Sequence, residues 1–231
     1  MTHKILNRVI LPVRRYKQRQ HECAVATVAS IANFYDKSVT YNQVREMIPK
    51  NIRKEGLYTS QQGMLFNKLG FGKVTIVTYD LNTFDFSWNN LSNKRVIRRL
   101  KKVRRYHARD KEEPYYMSSS YIKWLSITGC DNRIIVDNDL PKYIKRDINN
   151  GRPVAASYNY TSLMKCSKGS LARDGDVKGE ILEHAIVIRG YDDKGIFVVD
   201  SEDNYGSLGR YKLKWTDFLL NVSQGDLILI G

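Results

Sequence analysis

Cys23 opens a run of small and apolar residues, Cys-Ala-Val-Ala-Thr-Val-Ala-Ser-Ile-Ala. Ala24, Val28, Ile31 and Tyr35 follow at spacings of four, three and four, which predicts a helix that begins at Glu22 or Cys23 and buries that stripe. A thiol at a helix start meets the positive end of the helix dipole and backbone N–H groups with no partner inside the helix. Both favour the thiolate, the form that attacks carbonyl carbon. Cys130 and Cys166 lack such a setting and are read as a buried small residue and a loop thiol.

A nucleophilic thiolate needs a base. The chain has four histidines, His3, His21, His107 and His184, and only His184 begins a strongly apolar strand, His184 to Tyr191. His21 lies too close to Cys23 in sequence to face it across a helix start. Asp192 to Gly195 reads as a turn and Ile196 to Asp200 as the returning strand. A turn centred on Asp192 pairs Arg189 with Gly195 and Ile188 with Ile196, and carries His184 directly opposite Asp200. Their Cβ atoms would then be ~5 Å apart on one face. A carboxylate in that place fixes the imidazole tautomer and stabilises the protonated ring. A slip of one residue would put the two on opposite faces. Cys23, His184 and Asp200 together suit acyl transfer through a thioester. An oxyanion hole could be built from the Cys23 N–H and a glutamine upstream, Gln18 or Gln20.

The elements that must hold these residues are legible in part. Tyr41 to Ile48 reads as a helix opened by Thr40, with Gln43 three residues on as a capping box. A further helix runs from about Ser60 to Leu69 and stops at Gly70. Val74 to Tyr79 has the β-branched density of a strand. Residues 80–117 are irregular in composition, Asn-rich, then basic, then Tyr-rich, and 80–135 reads as an insertion or subdomain within a single domain, 1–231. Ser119 to Leu125 is expected to be helical and Arg133 to Val136 a short strand. Asp139 caps a helix that ends at Gly151; Pro153 to Tyr158 and Leu227 to Ile230 read as strands. Helices first and strands later imply an α+β fold with a largely antiparallel sheet.

Composition bounds the rest. In 231 residues, 42% are hydrophobic, enough for a core, and three cysteines are too few for a disulfide framework. No metal site or cofactor is expected from the scattered histidines. No apolar run reaches the ~20 residues of a membrane span, and the first residues lack a secretory signal, so a cytoplasmic location is expected. The net charge is +14, with 38 Lys and Arg against 24 Asp and Glu. Much of the excess is Lys94, Arg95, Arg98, Arg99, Lys101, Lys102, Arg104 and Arg105, over an apolar stripe of Val96, Leu100 and Val103. That is a basic amphipathic helix, a solvated face or a contact for an acidic protein, a membrane surface or nucleic acid.

The segment Gln18 to Tyr35, QRQHECAVATVASIANFY, resembles the active-site helix of the bacteriocin-processing peptidases, papain-like cysteine peptidases of the C39 type. Thr59 to Phe71, TSQQGMLFNKLGF, is similar to that family's next helix and its Leu-Gly-Phe exit. Ile148 to Val154, His184 to Asp192 and Phe197 to Asp200 are similar to its Gly-(Arg/Lys)-Pro, His and Asp segments, in the same order. The likeness covers some three-fifths of the chain and omits residues 80–135. It implies a papain-like fold and a peptidase acting on a peptide or isopeptide bond, with Cys23 as nucleophile, His184 as base, Asp200 as orienting acid and Gln18 in the oxyanion hole. The family places its glutamine where this chain has Lys17, one residue before Gln18, and Ala24 replaces the usual glycine after the cysteine. A catalytically weak papain-like scaffold that binds nucleic acid or an acidic protein is the alternative.

Overall fold

The structure, a computed structural model, describes residues 8–166, 168, 181–203 and 208–231; His3 lies outside them. Strand β1 (Arg8–Ile10) is followed by α1 (Cys23–Tyr35), α2 (Tyr41–Glu46), α3 (Lys50–Glu55), α4 (Thr59–Lys68) and β2 (Lys73–Thr78). Then come α5 (Asn93–Tyr106), α6 (Glu113–Leu125), β3 (Asp131–Val136), α7 (Leu140–Asn149), β4 (Val154–Asn159) and α8 (Tyr160–Met164). The chain closes with β5 (Glu183–Asp192), β6 (Gly195–Val199), β7 (Arg210–Lys214), α9 (Trp215–Asn221) and β8 (Val222–Ile230).

The strands form one sheet in the order β3-β2-β8-β4-β5-β6-β7, with β1 paired to β5. Among the described residues only β2 and β3 run parallel; the other pairings are antiparallel. One core cluster joins Val28 and Ile31 of α1 to Leu65 and Phe66 of α4 and to Ala155, Val187 and Val199 of the sheet. A second cluster joins Tyr143, Ile144 and Ile148 of α7 to Tyr158, Ile186, Ile188 and Val198. The fold is thus α+β, with a mostly antiparallel sheet carrying helices.

Several local expectations meet the structure closely. Thr40 accepts the Gln43 N–H, and Gln43 Oε1 accepts the Thr40 N–H at 2.7 Å, closing the capping box. Gly70 and Gly151 follow their helices with φ of 90° and 73°, conformations open to glycine at little cost.

Others are corrected. The helix α1 has no single buried stripe: Ala24 to Asn33 are all buried, and Tyr35 is 42% exposed. A helix covered by sheet on one side and by α2 and α4 on others needs apolar or small residues all round. Helix α6 begins at Glu113, six residues before the expected Ser119, because Pro114 suits a first helical turn. The basic segment forms α5, with Val96 and Leu100 buried in the same cluster as Tyr121 and Trp124 of α6.

The hairpin register is the correction that matters most. Asp192 pairs with Gly195, Tyr191 with Ile196 and Gly190 with Phe197; then the register shifts, and Ile188 pairs with Val198 and Val187 with Val199. The expected pairs Arg189–Gly195 and Ile188–Ile196 do not form, because the turn needs only Asp193 and Lys194. Asp192 Oδ1 accepts the N–H groups of Lys194 and Gly195 at 2.8 and 3.0 Å and tightens it. The shift is a β-bulge at Arg189, whose carbonyl accepts the Leu11 N–H at 2.7 Å.

Strand β1 can lie against that bulge only because residue 190 is glycine: a Cβ there would sit 2.2 Å from the Val9 carbonyl oxygen and 2.9 Å from Ile10 Cα. Gly190→Ala is expected to destabilise the fold by about 1–3 kcal/mol, the usual cost of overpacking. Gly72→Ala, where a Cβ meets nothing within 4 Å, should stay within about 0.5 kcal/mol. Urea unfolding midpoints of the two variants check this.

Candidate active site

Cys23 is the first residue of α1 and is partly exposed. Glu22, the residue at the helix cap, does not cap with its side chain. Its buried carboxylate turns away, accepts from the Tyr41 hydroxyl, and pairs with Arg45 Nε at 2.9 Å. The Tyr41 hydroxyl in turn accepts the Arg19 N–H at 3.1 Å. The short segment leading into Cys23 is therefore tied down on both sides, and His21 within it takes a φ of 61°.

His184, near the start of β5, is 6% exposed. Its Nε2 lies 2.6 Å from Asp200 Oδ1, which leaves Nδ1 for the Cys23 thiol. Burial opposes ionisation of Cys23, yet the hydrogen bond and charge of His184, with backbone N–H groups of Ala185 and Ala24, hold its thiol below the ordinary range. Burial also works against the His184 cation, but hydrogen bonds and charge from Asp200 and Cys23 push it up to about 10. Asp200, fully buried, is held low by His184, by the Tyr211 hydroxyl and by the Glu202 N–H, against the cost of burial. Each of the three shifts favours the charged form of its group.

The route by which His184 and Asp200 meet differs from the expected one. Continued past Val199, the observed register sets Asp200 against Ile186, so His184 is a diagonal neighbour on the same face. Without the bulge Asp200 would fall against Val187, three residues from His184 and on the other face. One inserted residue thus restores the shared face.

The model of the Peptidase_C39 like family matches residues 10–222. The chain belongs to that family. Its fold is similar to a candidate C39-like peptidase from Bacillus anthracis, at 15% identity over 97% of both chains and a TM-score of 0.50. It also aligns with Xylellain, a cysteine protease from Xylella fastidiosa, at 17% identity over 97% of this chain and 85% of that one, TM-score 0.48. No curated protein matches the chain.

Around this C39-like arrangement the structure adds groups the sequence reading missed. Tyr211 and Tyr158 donate to Asp200 Oδ2 at 2.6 and 3.2 Å, and Glu202 N–H to Oδ1 at 2.8 Å. Tyr158 pairs directly with His184 across β4 and β5, and the rings of Tyr158 and Tyr160 each lie 5.5 Å from the imidazole. Tyr158 had a findable signal, its place in an expected strand. Tyr211 had none, since β7 carries alternating Lys and Arg and reads as surface.

Of the two candidate glutamines, Gln20 is exposed. Gln18 accepts the Ser201 hydroxyl on Oε1 at 2.6 Å, and its N–H donates to the Ser201 carbonyl at 3.2 Å. Arg15 donates Nε to the Asp200 carbonyl at 2.6 Å and pairs with Asp203. These bonds tie the Gln18 segment to the Asp200 segment. With Oε1 occupied, the Gln18 amide has its NH2 to offer. Among the described residues no group of three or more His, Cys, Asp or Glu could hold a metal, and no helix is long and apolar enough to cross a membrane.

Tyr211→Phe removes the shorter donor to Asp200 Oδ2 and leaves Tyr158 alone on that oxygen. We expect a loss of about 1–3 kcal/mol at pH 7, as for a hydrogen bond to a buried charge. The loss should shrink as pH falls through the lowered Asp200 value, where the carboxylate protonates. Denaturant unfolding from pH 7 down to pH 2, wild type beside variant, measures both.

Proposed function

We propose that this chain is a cysteine peptidase that hydrolyses a peptide or isopeptide bond through Cys23, His184 and Asp200. The observation that carries the reading is the position of His184, bonded at once to Asp200 and to the thiol at the start of α1.

In this reading the Cys23 thiolate adds to the carbonyl carbon, and the oxygen gains the negative charge. The Cys23 N–H and the Gln18 side-chain amide donate to that oxygen. The His184 imidazolium gives its Nδ1 proton to the leaving nitrogen as the C–N bond breaks, and a thioester remains. Neutral His184 then takes a proton from water, the hydroxide adds to the thioester, and Cys23 leaves as thiolate. Asp200 stays ionised throughout and holds Nε2, so the ring keeps one orientation. Water is the acceptor here; an amine in its place would make the same acyl-enzyme a transferase. The net charge of +14 favours an acidic protein segment as substrate.

Iodoacetamide alkylation of native protein, read by mass spectrometry at each cysteine from pH 5 to 10, tests the pair. Cys23 should react at pH well below the ~8.5 of an ordinary thiol, and there faster than the exposed thiol of Cys166. In His184→Ala the Cys23 profile should move up toward the ordinary value. Hydrolysis of an unfolded acidic protein should be abolished in Cys23→Ala and fall by about 10²–10⁴-fold in His184→Ala. It should decline in wild type as pH passes about 10 and the imidazolium loses its proton. Cys23 alkylation that tracks Cys166 at every pH would overturn the reading.

A further inference from the structure

The eight cations of α5 play no part in the site just described. Helix α5 packs on α6, and Asn93 at its start donates Nδ2 to the Asn132 carbonyl of β3 at 2.7 Å. β3 is one edge of the sheet, and β2, β8 and β4 stand between it and β5. At about 4.8 Å per strand, α5 lies on the order of 20 Å from His184.

All eight Lys and Arg of α5 are exposed, no acidic residue interrupts the helix, and none of the ion pairs among the described residues engages them. Arg95, Arg98, Arg99 and Lys102 converge with Leu91 on a recess of about 330 Å³. Arg95 and Lys102 lie about one turn, roughly 5.4 Å, to either side of the adjacent pair Arg98 and Arg99, a band of positive charge along the helix. Such a band carries a standing repulsion, which an external polyanion relieves.

Three polyanions could do so, and the geometry separates them. A membrane surface binds an amphipathic helix through its apolar face. Here that face is already used, with Val96 and Leu100 buried in the core. A protein partner is usually anchored by aromatic or aliphatic side chains in a desolvated pocket. The outward face of α5 offers guanidinium and ammonium groups, and its large apolar exposure is Tyr106 at the end, 84% exposed. A nucleic acid asks for what is present: Arg forks that match phosphate geometry, and an exposed ring on which a base can stack.

We propose that the outward face of α5 is a docking surface for the phosphate backbone of a nucleic acid, centred on Arg95, Arg98, Arg99 and Lys102. It binds without regard to sequence and independently of the peptidase chemistry. A polyanion bound there would hold the enzyme on a nucleic-acid-bearing particle or complex while Cys23 remains free.

The test is fluorescence anisotropy of the full chain with a labelled single-stranded DNA of mixed sequence, about 20 nucleotides long. Four phosphate contacts predict a log–log salt slope near −2.8, or about 50-fold weaker binding at 200 mM than at 50 mM salt. The variant Arg95→Gln, Arg98→Gln, Arg99→Gln, Lys102→Gln should bind at least tenfold more weakly at 100 mM, with most of the slope gone. A control with the same charge loss at exposed Lys37, Lys68, Lys194 and Lys214 should keep wild-type slope. Unchanged Cys23 alkylation in both variants verifies that they are folded and separates this proposal from the fate of the peptidase reading. Equal weakening in both variants, or no salt-dependent binding at 50 mM, overturns it. So does tighter binding of poly-glutamate or of anionic vesicles than of the DNA.

Discussion

A single buried carboxylate organises the site. Asp200 is fully buried, and removing an ionised carboxylate from water costs several kcal/mol unless every lone pair finds a donor. Its Oδ1 takes His184 Nε2 and the Glu202 N–H, and its Oδ2 takes Tyr211 and Tyr158. These donors come from β5, β4, β7 and the chain just beyond Asp200 itself, so the carboxylate keeps its charge only if three strands arrive in register. The backbone is bound into the same arrangement: Asp200 donates its N–H to the Gly209 carbonyl, and its own carbonyl accepts Arg15. Fold stability and ring orientation thus rest on the same bonds.

Geometry at the hairpin shows how little decides whether His184 and Asp200 share a face. Strand alternation has a period of two, so a change of one residue moves a side chain to the other face of the sheet. The turn at Asp193–Lys194 alone gives the wrong parity for His184 and Asp200, and the bulge at Arg189 corrects it. That bulge depends on its neighbours. The Arg189 carbonyl is satisfied by Leu11, and β1 closes on the strand over a glycine that has no Cβ to obstruct it. A three-residue strand at the N-terminal side therefore helps to set the register of His184, which lies five residues along β5 from the bulge.

The two halves of the molecule divide the electrostatic work. At the α1 terminus, Glu22 is paired with Arg45 and Tyr41, so the acid beside Cys23 does not compete with the thiolate for the helix-start N–H groups. At the far edge of the sheet, α5 gathers like charges over a buried apolar stripe, and none of the ion pairs among the described residues engages them. One arrangement neutralises a buried charge beside Cys23. The other leaves its charges exposed to solvent.

Much was legible in the sequence where the physics is local. The helix start at Cys23, the Thr40–Gln43 capping box, the glycine stops at Gly70 and Gly151, and the amphipathic pattern of α5 follow from periodicity, capping and backbone freedom within a few residues. That His184 and Asp200 flank one hairpin was also readable. Their register was not, because it depends on a bulge whose hydrogen bond is made by Leu11, almost 180 residues earlier in the chain. The tertiary structure likewise decided that α1 is buried on all sides, that Gln18 and not Gln20 lies against Ser201, and that Tyr211 reaches Asp200. Each of these rests on contacts between segments distant in sequence. Residue type and spacing define what a short segment prefers, but only the packed sheet fixes which segments meet.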